Sequence, residues 1–206
     1  SREATVTITI LKPSDAKQYQ DTVGQPHRFA AEWMRNTGLF VGESVGGESC
    51  FGAEKQVSRG EFITMVVKML EIPVEDVSYD SIPSDTPDWL KPYLAAAMRS
   101  GLTANLPENE AGYYAPITGA EAAVMLQNVL DLSVSQEMLE SVQTATEEVQ
   151  SDIPVWAASS LTAMADNGVS LNAGDNLNRG QVAQLMYQVS KLAENAPGMA
   201  VIRMQK

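Results

Sequence analysis

Two arginines occupy positions from which they could bind an acidic ligand. Arg59 and Arg179 each follow a Ser or Asn of the type that begins an α-helix, so both stand in the first turn of a predicted helix. The amide groups of a helix N-terminus carry partial positive charge and attract anions. A guanidinium group beside them would hold a carboxylate through charge-assisted hydrogen bonds, each worth about 1.5–3 kcal/mol. The alternative is that both arginines are solvated or paired with some of the 26 acidic side chains.

Two tryptophans, Trp89 and Trp156, end the pattern Asp-x-Pro-x-Trp, which begins at Asp85 and Asp152. An Asp followed by Pro is typical of a helix start, so the two carboxylates are predicted N-caps that could also accept sugar hydroxyl groups. Each indole ring either buries its area against the following helix or offers a flat face to a pyranose ring. The residues leave both roles open.

Catalytic chemistry finds little support in the residue types. His27 is the only histidine and Cys50 the only cysteine, and no third group accompanies them. No phosphate-binding glycine loop occurs, and no pair of carboxylates stands out as that of a glycosidase. The stretches before Gly168 and Gly174 lack the aspartate that a calcium loop requires. The sequence therefore predicts no enzyme activity, no metal and no cofactor.

The composition of the chain argues against two classes of partner. Its 206 residues include 14 basic and 26 acidic side chains, which gives a formal net charge of −12. Binding to nucleic acid requires clustered Lys and Arg to neutralise phosphates, so no nucleic-acid partner is expected. The longest apolar run is far shorter than the roughly 20 residues that span a bilayer, so no membrane insertion is expected either. A hydrophobic content of 44% is enough for a buried core.

Three short segments recur at intervals of sixty residues. In each, an apolar residue is followed by Ser, Thr or Asn, then by any residue, a small residue, and Glu or Gln. They are 57–61, 117–121 and 177–181. The first two are capping boxes, in which the Ser or Thr and the Glu satisfy each other's backbone amides, and the third is a weaker version. Apolar residues follow at helical spacing: Phe62, Met65, Val66 and Met69; Ala122, Met125, Leu126 and Val129; Val182, Leu185, Met186 and Val189.

A glycine ends each predicted first helix. Gly101 and Gly168 lie twelve residues after a Trp and precede an apolar residue, which is typical of a helix end in the left-handed conformation. Gly38 takes this place in the first unit, where the residue twelve positions earlier is Pro26 and not a Trp. Each unit is therefore predicted to be helix, loop, helix. Because so short a pair cannot bury its apolar face alone, the three units should pack on one another.

Together these motifs resemble S-layer homology repeats, which occur in sets of three in bacterial surface proteins. The second helix begins Thr-Arg-Ala-Glu in that family; here it begins Ser-Arg-Gly-Glu at Ser58, Thr-Gly-Ala-Glu at Thr118 and Asn-Arg-Gly-Gln at Asn178. The resemblance covers residues 20–193. It implies an all-α fold of three tandem helix-loop-helix repeats in a pseudo-threefold arrangement.

The corresponding division of the chain places the repeats at 13–75, 76–135 and 136–195. Residues 1–12 form an N-terminal strand or linker, within which 5–10 alternate between polar and apolar like a half-buried strand. This strand either ends a preceding domain or pairs with the C-terminal tail, 196–206, so a small terminal β-strand element is expected. An extra helix is predicted over 136–144.

The resemblance also implies a function, non-covalent anchoring of a secreted protein to the cell wall of a bacterium. The ligand would be an acidic secondary cell-wall polysaccharide, in this family often one with pyruvate ketals, bound in grooves between repeats. Other surface-layer proteins would be further partners. The glycan-binding residues assigned on this basis are Arg59, Arg179, Trp89, Trp156, Asp85, Asp152 and Thr118.

A second interpretation is a helical-repeat module for protein interaction or assembly, whose glycan sites have decayed. The irregular first repeat and Gly119, which replaces the arginine in the second repeat, favour it. A hydrolase, the third interpretation, would need a cleft with converging acids. The anchoring hypothesis predicts that Arg59→Ala or Arg179→Ala lowers glycan affinity without lowering the melting temperature, and that Gly119→Arg raises affinity.

Overall fold

A computed structural model of the chain describes residues 18–107, 112–130, 132 and 153–195. This part of the chain is mainly helical and contains six α-helices and one small two-stranded sheet. A 3₁₀ turn covers Gln20–Thr22. The helices are α1 Arg28–Asn36, α2 Arg59–Met69, α3 Lys91–Arg99, α4 Gly119–Leu130, α5 Val155–Asp166 and α6 Arg179–Asn195. None of them is long and apolar enough to span a bilayer.

The sheet is a hairpin in the loop between α1 and α2, made of β1 Glu43–Val45 and β2 Glu48–Cys50. Gly46 and Gly47 connect the strands, both with positive φ, as a two-residue turn of this kind requires. Strands of three residues are too short to show an alternating pattern, so the sequence does not predict them. The predicted terminal strands and the helix predicted over 136–144 lie outside the described residues.

The three recurring segments begin α2, α4 and α6, as predicted, and each forms a reciprocal cap. The pairs are Ser58 with Glu61, Thr118 with Glu121, and Asn178 with Gln181. In the third pair both bonds measure 2.9 Å. That cap is as complete as the others, because an Asn side-chain oxygen accepts the amide as well as a hydroxyl oxygen does.

The apolar positions predicted for α2, α4 and α6 belong to one core. Met69 and Val129 are partly buried against it, and the other ten positions are buried. The glycines Gly38, Gly101 and Gly168 end α1, α3 and α5 with φ values of 72°, 78° and 80°. Both predictions are confirmed, because each depends on local spacing alone.

The start of α3 differs from the prediction. The helix begins at Lys91 with Leu90 at the N-cap position, so Asp85 does not cap it. The amides of Leu90 and Lys91 both donate to the carbonyl of Pro87, and this tight turn separates Asp85 from the helix. At α5 the N-cap position is held by Pro154. Asp152 lies outside the described residues.

Backbone hydrogen bonds join three buried segments in a cycle. Val57 donates to Leu177, Leu177 to Ile117, and Ile117 to Val57, over 2.9–3.0 Å. All three side chains are buried. Because each residue donates once and accepts once, the cycle leaves no open strand edge among these three residues.

The helices pair in an order that the sequence does not reveal. α3 packs on α2, α5 packs on α4, and α1 packs on α6, which joins the first and the last described helix. The helix after Trp89 therefore packs on the helix that precedes it in the chain. The connection from α2 to α3, residues 70–90, is long enough for α3 to fold back on α2.

Candidate functional site

Arg59 lies between the starts of α2 and α4. Its Nη2 is 3.2 Å from Oε1 of Glu121, and the two side chains are only 9% and 6% exposed. The other carboxylate oxygen of Glu121 accepts the backbone amide of Thr118. Nε of Arg59 is also buried and has no acceptor among the described residues. Arg59 is thus ion-paired through Nη2, and its buried Nε–H has no acceptor among the described residues.

Arg179 is held differently at the start of α6. Its Nη1 donates to the carboxylate of Glu43 and, over 3.1 Å, to the carbonyl of Phe51. The guanidinium carbon lies 4.7 Å from the ring centroid of Phe40, at cation–π distance. Lys55 donates to the second oxygen of Glu43 over 2.7 Å. Hydrogen bonds from Lys55 and Arg179 lower the pKa of Glu43 from its ordinary value of 4.5.

The first amides of α2, α4 and α6 are not available to an anion. In α2 the amides of Arg59 and Gly60 donate to the carbonyls of Ala115 and Tyr113, over 2.9 Å each. The first two amides of α4 and of α6 donate in the same way to carbonyls of neighbouring loops. The third amide of each helix is taken by its capping side chain. The prediction of an anion pocket formed by free helix amides is therefore wrong. Carbonyl groups of neighbouring loops and the capping side chains already accept those amides.

Gly119 takes the place of the two arginines in α4, and a close backbone contact requires it. A Cβ atom at this position would lie 2.1 Å from the carbonyl oxygen of Asn172 and 3.0 Å from its carbonyl carbon. The backbone of the loop before α6 therefore passes directly over the start of α4. We therefore expect Gly119→Arg to disrupt the junction between this loop and α4. The earlier expectation, that this variant raises glycan affinity, no longer holds.

Two neighbouring grooves open beside α2 and share the side chain of Tyr114. The larger, of about 630 Å³, is lined by Arg59, Asp85 and Tyr113 among others. The smaller, of about 320 Å³, is lined by Trp89 and the capping residues of α2. Trp89 is 45% exposed and Tyr114 is 71% exposed. Two accessible ring faces therefore lie near a buried guanidinium group and a carboxylate.

Tyr113 and Tyr114 are the residues that the sequence analysis missed as site candidates. Burial raises the pKa of the Tyr113 phenol, which keeps it neutral and able to donate a hydrogen bond. Two adjacent aromatic residues in a loop could have indicated an exposed ring. Neighbouring side chains of an extended segment point to opposite sides, so only one of the two can face the core. Here Tyr113 packs against the core and Tyr114 faces solvent.

The other predicted site residues do not join these two grooves. Trp156, at 37% exposure, lies at the start of α5 and lines neither of them. Thr118 caps α4, and its hydroxyl oxygen accepts the amide of Glu121. Arg179 lines a cavity of about 110 Å³ together with Trp89, and this is well below the roughly 300 Å³ at which ligand pockets begin.

His27 and Cys50 show no catalytic arrangement. The ring of His27 stacks on that of Phe51 with centroids 6.3 Å apart. Burial and the nearby Asp21 raise the pKa of the Cys50 thiol, which makes it a poor nucleophile at neutral pH. In the ranges that the structure covers, no group of three or more His, Cys, Asp or Glu could hold a metal.

No known family model and no curated protein sequence matches the chain.

Proposed function

We propose that the chain is a cell-wall anchoring module of a bacterial surface protein, and that it binds an acidic polysaccharide in the grooves beside Arg59. In this proposal it consists of three S-layer homology repeats in a pseudo-threefold arrangement. The cyclic hydrogen bonds among Val57, Ile117 and Leu177 support that arrangement, because three equivalent residues meet through the same backbone groups. The contact of α1 with α6 supports a closed set of units.

The observation that carries the proposal is the unused Nε–H of Arg59. A buried donor without an acceptor costs about 1–3 kcal/mol, and a donor on a charged group costs more. A ligand oxygen in the groove would remove that cost, and a carboxylate oxygen would form the stronger, charge-assisted bond. Because Glu121 already pairs with Nη2, the Nε–H of Arg59 would supply a directed bond to the ligand.

The surrounding residues supply what the neutral part of a sugar requires. The exposed faces of Trp89 and Tyr114 can pack against the C–H faces of pyranose rings. Asp85, in the same groove as Arg59, can accept hydroxyl hydrogens. Arg179 has no ligand-binding role in this proposal, since Glu43 and Phe40 occupy its guanidinium group.

The decisive experiment is a pull-down of the protein on purified cell wall before and after chemical removal of the secondary polymer. We expect retention on the intact wall and loss of retention after removal. Equal retention on both preparations would contradict the proposal. It would favour the protein-interaction module, for which the exposed Val23, Val41 and Val45 around the hairpin offer an apolar surface.

Two variants test the grooves directly. Trp89→Ala and Tyr114→Ala should each weaken binding to the secondary polymer roughly two- to tenfold, the equivalent of about 0.5–1.5 kcal/mol for one aromatic contact. Val155→Ala is the matched control, because Val155 is 82% exposed and lines neither groove. An affinity that falls equally in all three variants would show that the polymer does not lie in these grooves.

A further inference from the structure

We infer that Asn167 is a site of deamidation, and that the end of α5 must open before the reaction occurs. Asn167 is the only one of the nine asparagines that precedes a glycine. Deamidation begins when the backbone nitrogen of the next residue attacks the side-chain amide carbon, and a glycine leaves that nitrogen unobstructed by a side chain. Because Asn167 lines neither of the grooves beside α2, the inference does not depend on the proposed function.

The reaction needs only water and hydroxide besides the chain. The Gly168 nitrogen gives its proton to hydroxide and bonds to Cγ of Asn167, whose bond to the side-chain nitrogen breaks. That nitrogen takes a proton from water and leaves as ammonia, which regenerates the hydroxide. One further water molecule then opens the resulting ring at either of its carbonyl groups. The product is an aspartate at position 167 or an isoaspartate, whose main chain runs through the former side chain.

The folded helix end keeps the two reacting groups apart. The Gly168 amide donates to the carbonyl of Ala165 over 2.9 Å, and the Asn167 side-chain nitrogen donates to the carbonyl of Ala163 over 2.8 Å. Ring closure requires the Gly168 nitrogen to eclipse Cβ of Asn167. At the observed ψ of 17° for Asn167, this nitrogen points away from Cβ. The reaction therefore requires both hydrogen bonds to break and the peptide unit to rotate.

The same turn is well placed to open. Ala165, Asp166 and Gly168 are all exposed to solvent. Gly168 has a φ of 80°, and a Cβ atom there would meet nothing within 4 Å, so no neighbouring side chain holds the turn closed. Exposed helix ends open at a small cost in free energy, because few buried contacts are lost. We therefore expect deamidation in the folded protein at a rate that reports how often this end opens.

The corresponding helix ends of the other two units carry a hydroxyl side chain in place of the amide. Thr37 precedes Gly38, and Ser100 precedes Gly101. Their hydroxyl groups donate to backbone carbonyls of the last helical turn, over 2.9 Å for Thr37 and 3.0 Å for Ser100. The glycine turn thus forms without an asparagine. Asn167→Ser is therefore a matched variant that keeps a capping side chain and lacks the reactive amide.

An isoaspartate in place of Asn167 would alter the loop that follows α5. Its longer main chain would shift Val169, which is buried and whose amide donates to the carbonyl of Met164 over 2.9 Å. Further along, the carbonyls of Ala173 and Asp175 accept the first two amides of α4, over 3.1 and 3.0 Å. Deamidation would thus disturb the end of α5 and its junction with α4. We expect it to lower the stability of the protein.

The test compares the intact protein with a synthetic peptide of residues 160–171 in the same mildly alkaline buffer. Peptide mapping by mass spectrometry locates each asparagine that has reacted and gives its rate. We expect Asn167 to react first in the protein, at least about tenfold more slowly than in the peptide, because only opened molecules react. Incubation should lower the melting temperature of the natural protein by at least about 2 °C. Asn167→Ser should abolish the modification and prevent this loss.

Three results would overturn the inference. They are earlier reaction at another asparagine, equal rates in the protein and the peptide, and no product at Asn167 after about a hundred half-times of the peptide. If Asn167→Ser loses as much melting temperature during incubation as the natural protein does, the effect on the loop after α5 is also contradicted. The wall pull-down uses freshly prepared protein, so none of these results decides the proposed function.

Discussion

Arg59 and Arg179 occupy the same position in two helices, yet their side chains have different surroundings. Arg59 is buried against Glu121, a residue of another helix. Arg179 pairs with Glu43 of the hairpin and stacks on Phe40. The acid that each guanidinium group meets comes from a different part of the fold, from the first turn of α4 for Arg59 and from strand β1 for Arg179. Two residues with one sequence context therefore have different energetic roles.

Arg59→Ala is expected to destabilise the protein by about 3–5 kcal/mol, because the buried carboxylate of Glu121 loses its cation. This replaces the expectation that the variant lowers affinity alone. Arg179→Ala should cost less, since Glu43 is 36% exposed and keeps Lys55 as a partner. Urea unfolding measures both variants, and equal losses would contradict the distinction. The double variant Arg59→Met/Glu121→Gln removes both charges and should regain most of the loss.

The lowered pKa of Glu43 makes part of the stability depend on pH. A carboxylate with a lowered pKa in the folded state contributes stability above the ordinary value of 4.5, and this contribution disappears as the pH falls through the folded-state pKa. Glu43→Gln should therefore unfold at a lower urea concentration than the natural protein at pH 7 and at a similar one near about pH 3. Glu48→Gln, on the neighbouring strand, is the control, because the Glu48 side chain has no ion pair with any described residue to lose, and it should leave the unfolding midpoint at pH 7 nearly unchanged. A pH-independent difference for Glu43→Gln would contradict this prediction.

At the scale of the elements, the fit between a loop and the helix start beneath it decides the architecture. The first amides of α2, α4 and α6 are satisfied by carbonyls of a neighbouring loop, so three helix starts and three loops depend on one another. In the loop over α4, the carbonyl oxygen of Asn172 lies only 2.1 Å from the place that a Cβ atom of residue 119 would take. This contact explains why glycine occupies position 119 in α4, where the other two helices have arginine.

Gly119→Ala should destabilise the protein by about 1–3 kcal/mol, the usual cost of forcing an extra group into a packed site, because the obstructing atoms belong to the backbone of Asn172. Gly174→Ala, in the same loop, is the matched control. A Cβ atom at Gly174 meets nothing within 4 Å. Differential scanning calorimetry of the two variants distinguishes them. A melting temperature for Gly119→Ala equal to that of the control would show that the loop can move away from α4.

For the whole molecule, contacts remote in sequence hold the described helices together. The cycle of Val57, Ile117 and Leu177 connects segments sixty and more residues apart, and α1 packs on α6. Neither contact can form until the first and last parts of this region have both folded. The described region should therefore unfold in one cooperative step.

Three tryptophans test this cooperativity, because Trp33, Trp89 and Trp156 each lie in a different predicted repeat. Variants that keep one tryptophan and replace the other two by Phe report on one repeat at a time. We expect the three fluorescence transitions in urea to share one midpoint after correction for the stability of each variant. Separate midpoints would show that the repeats unfold independently, as open solenoids do.

Several features of this protein were determined by the sequence itself. The caps at Ser58, Thr118 and Asn178, the apolar faces behind them and the C-terminal glycines all follow from spacings within one or two helical turns. Such features depend on neighbours in the chain, so a local pattern is sufficient to predict them. Among the candidate site residues, the same patterns located Arg59, Asp85 and Trp89, which the structure brings to adjoining grooves.

Only the tertiary structure decided the partners of those residues. The ion pair of Arg59 with Glu121 and that of Arg179 with Glu43 join positions 62 and 136 residues apart, and no spacing rule relates them. The contact that requires Gly119 comes from a loop more than fifty residues further along the chain. Electrostatic and packing energies depend on the distance between groups and not on their order along the chain. The burial of a side chain, its ion pair and the shape of a groove are therefore decided by the segments that meet in space.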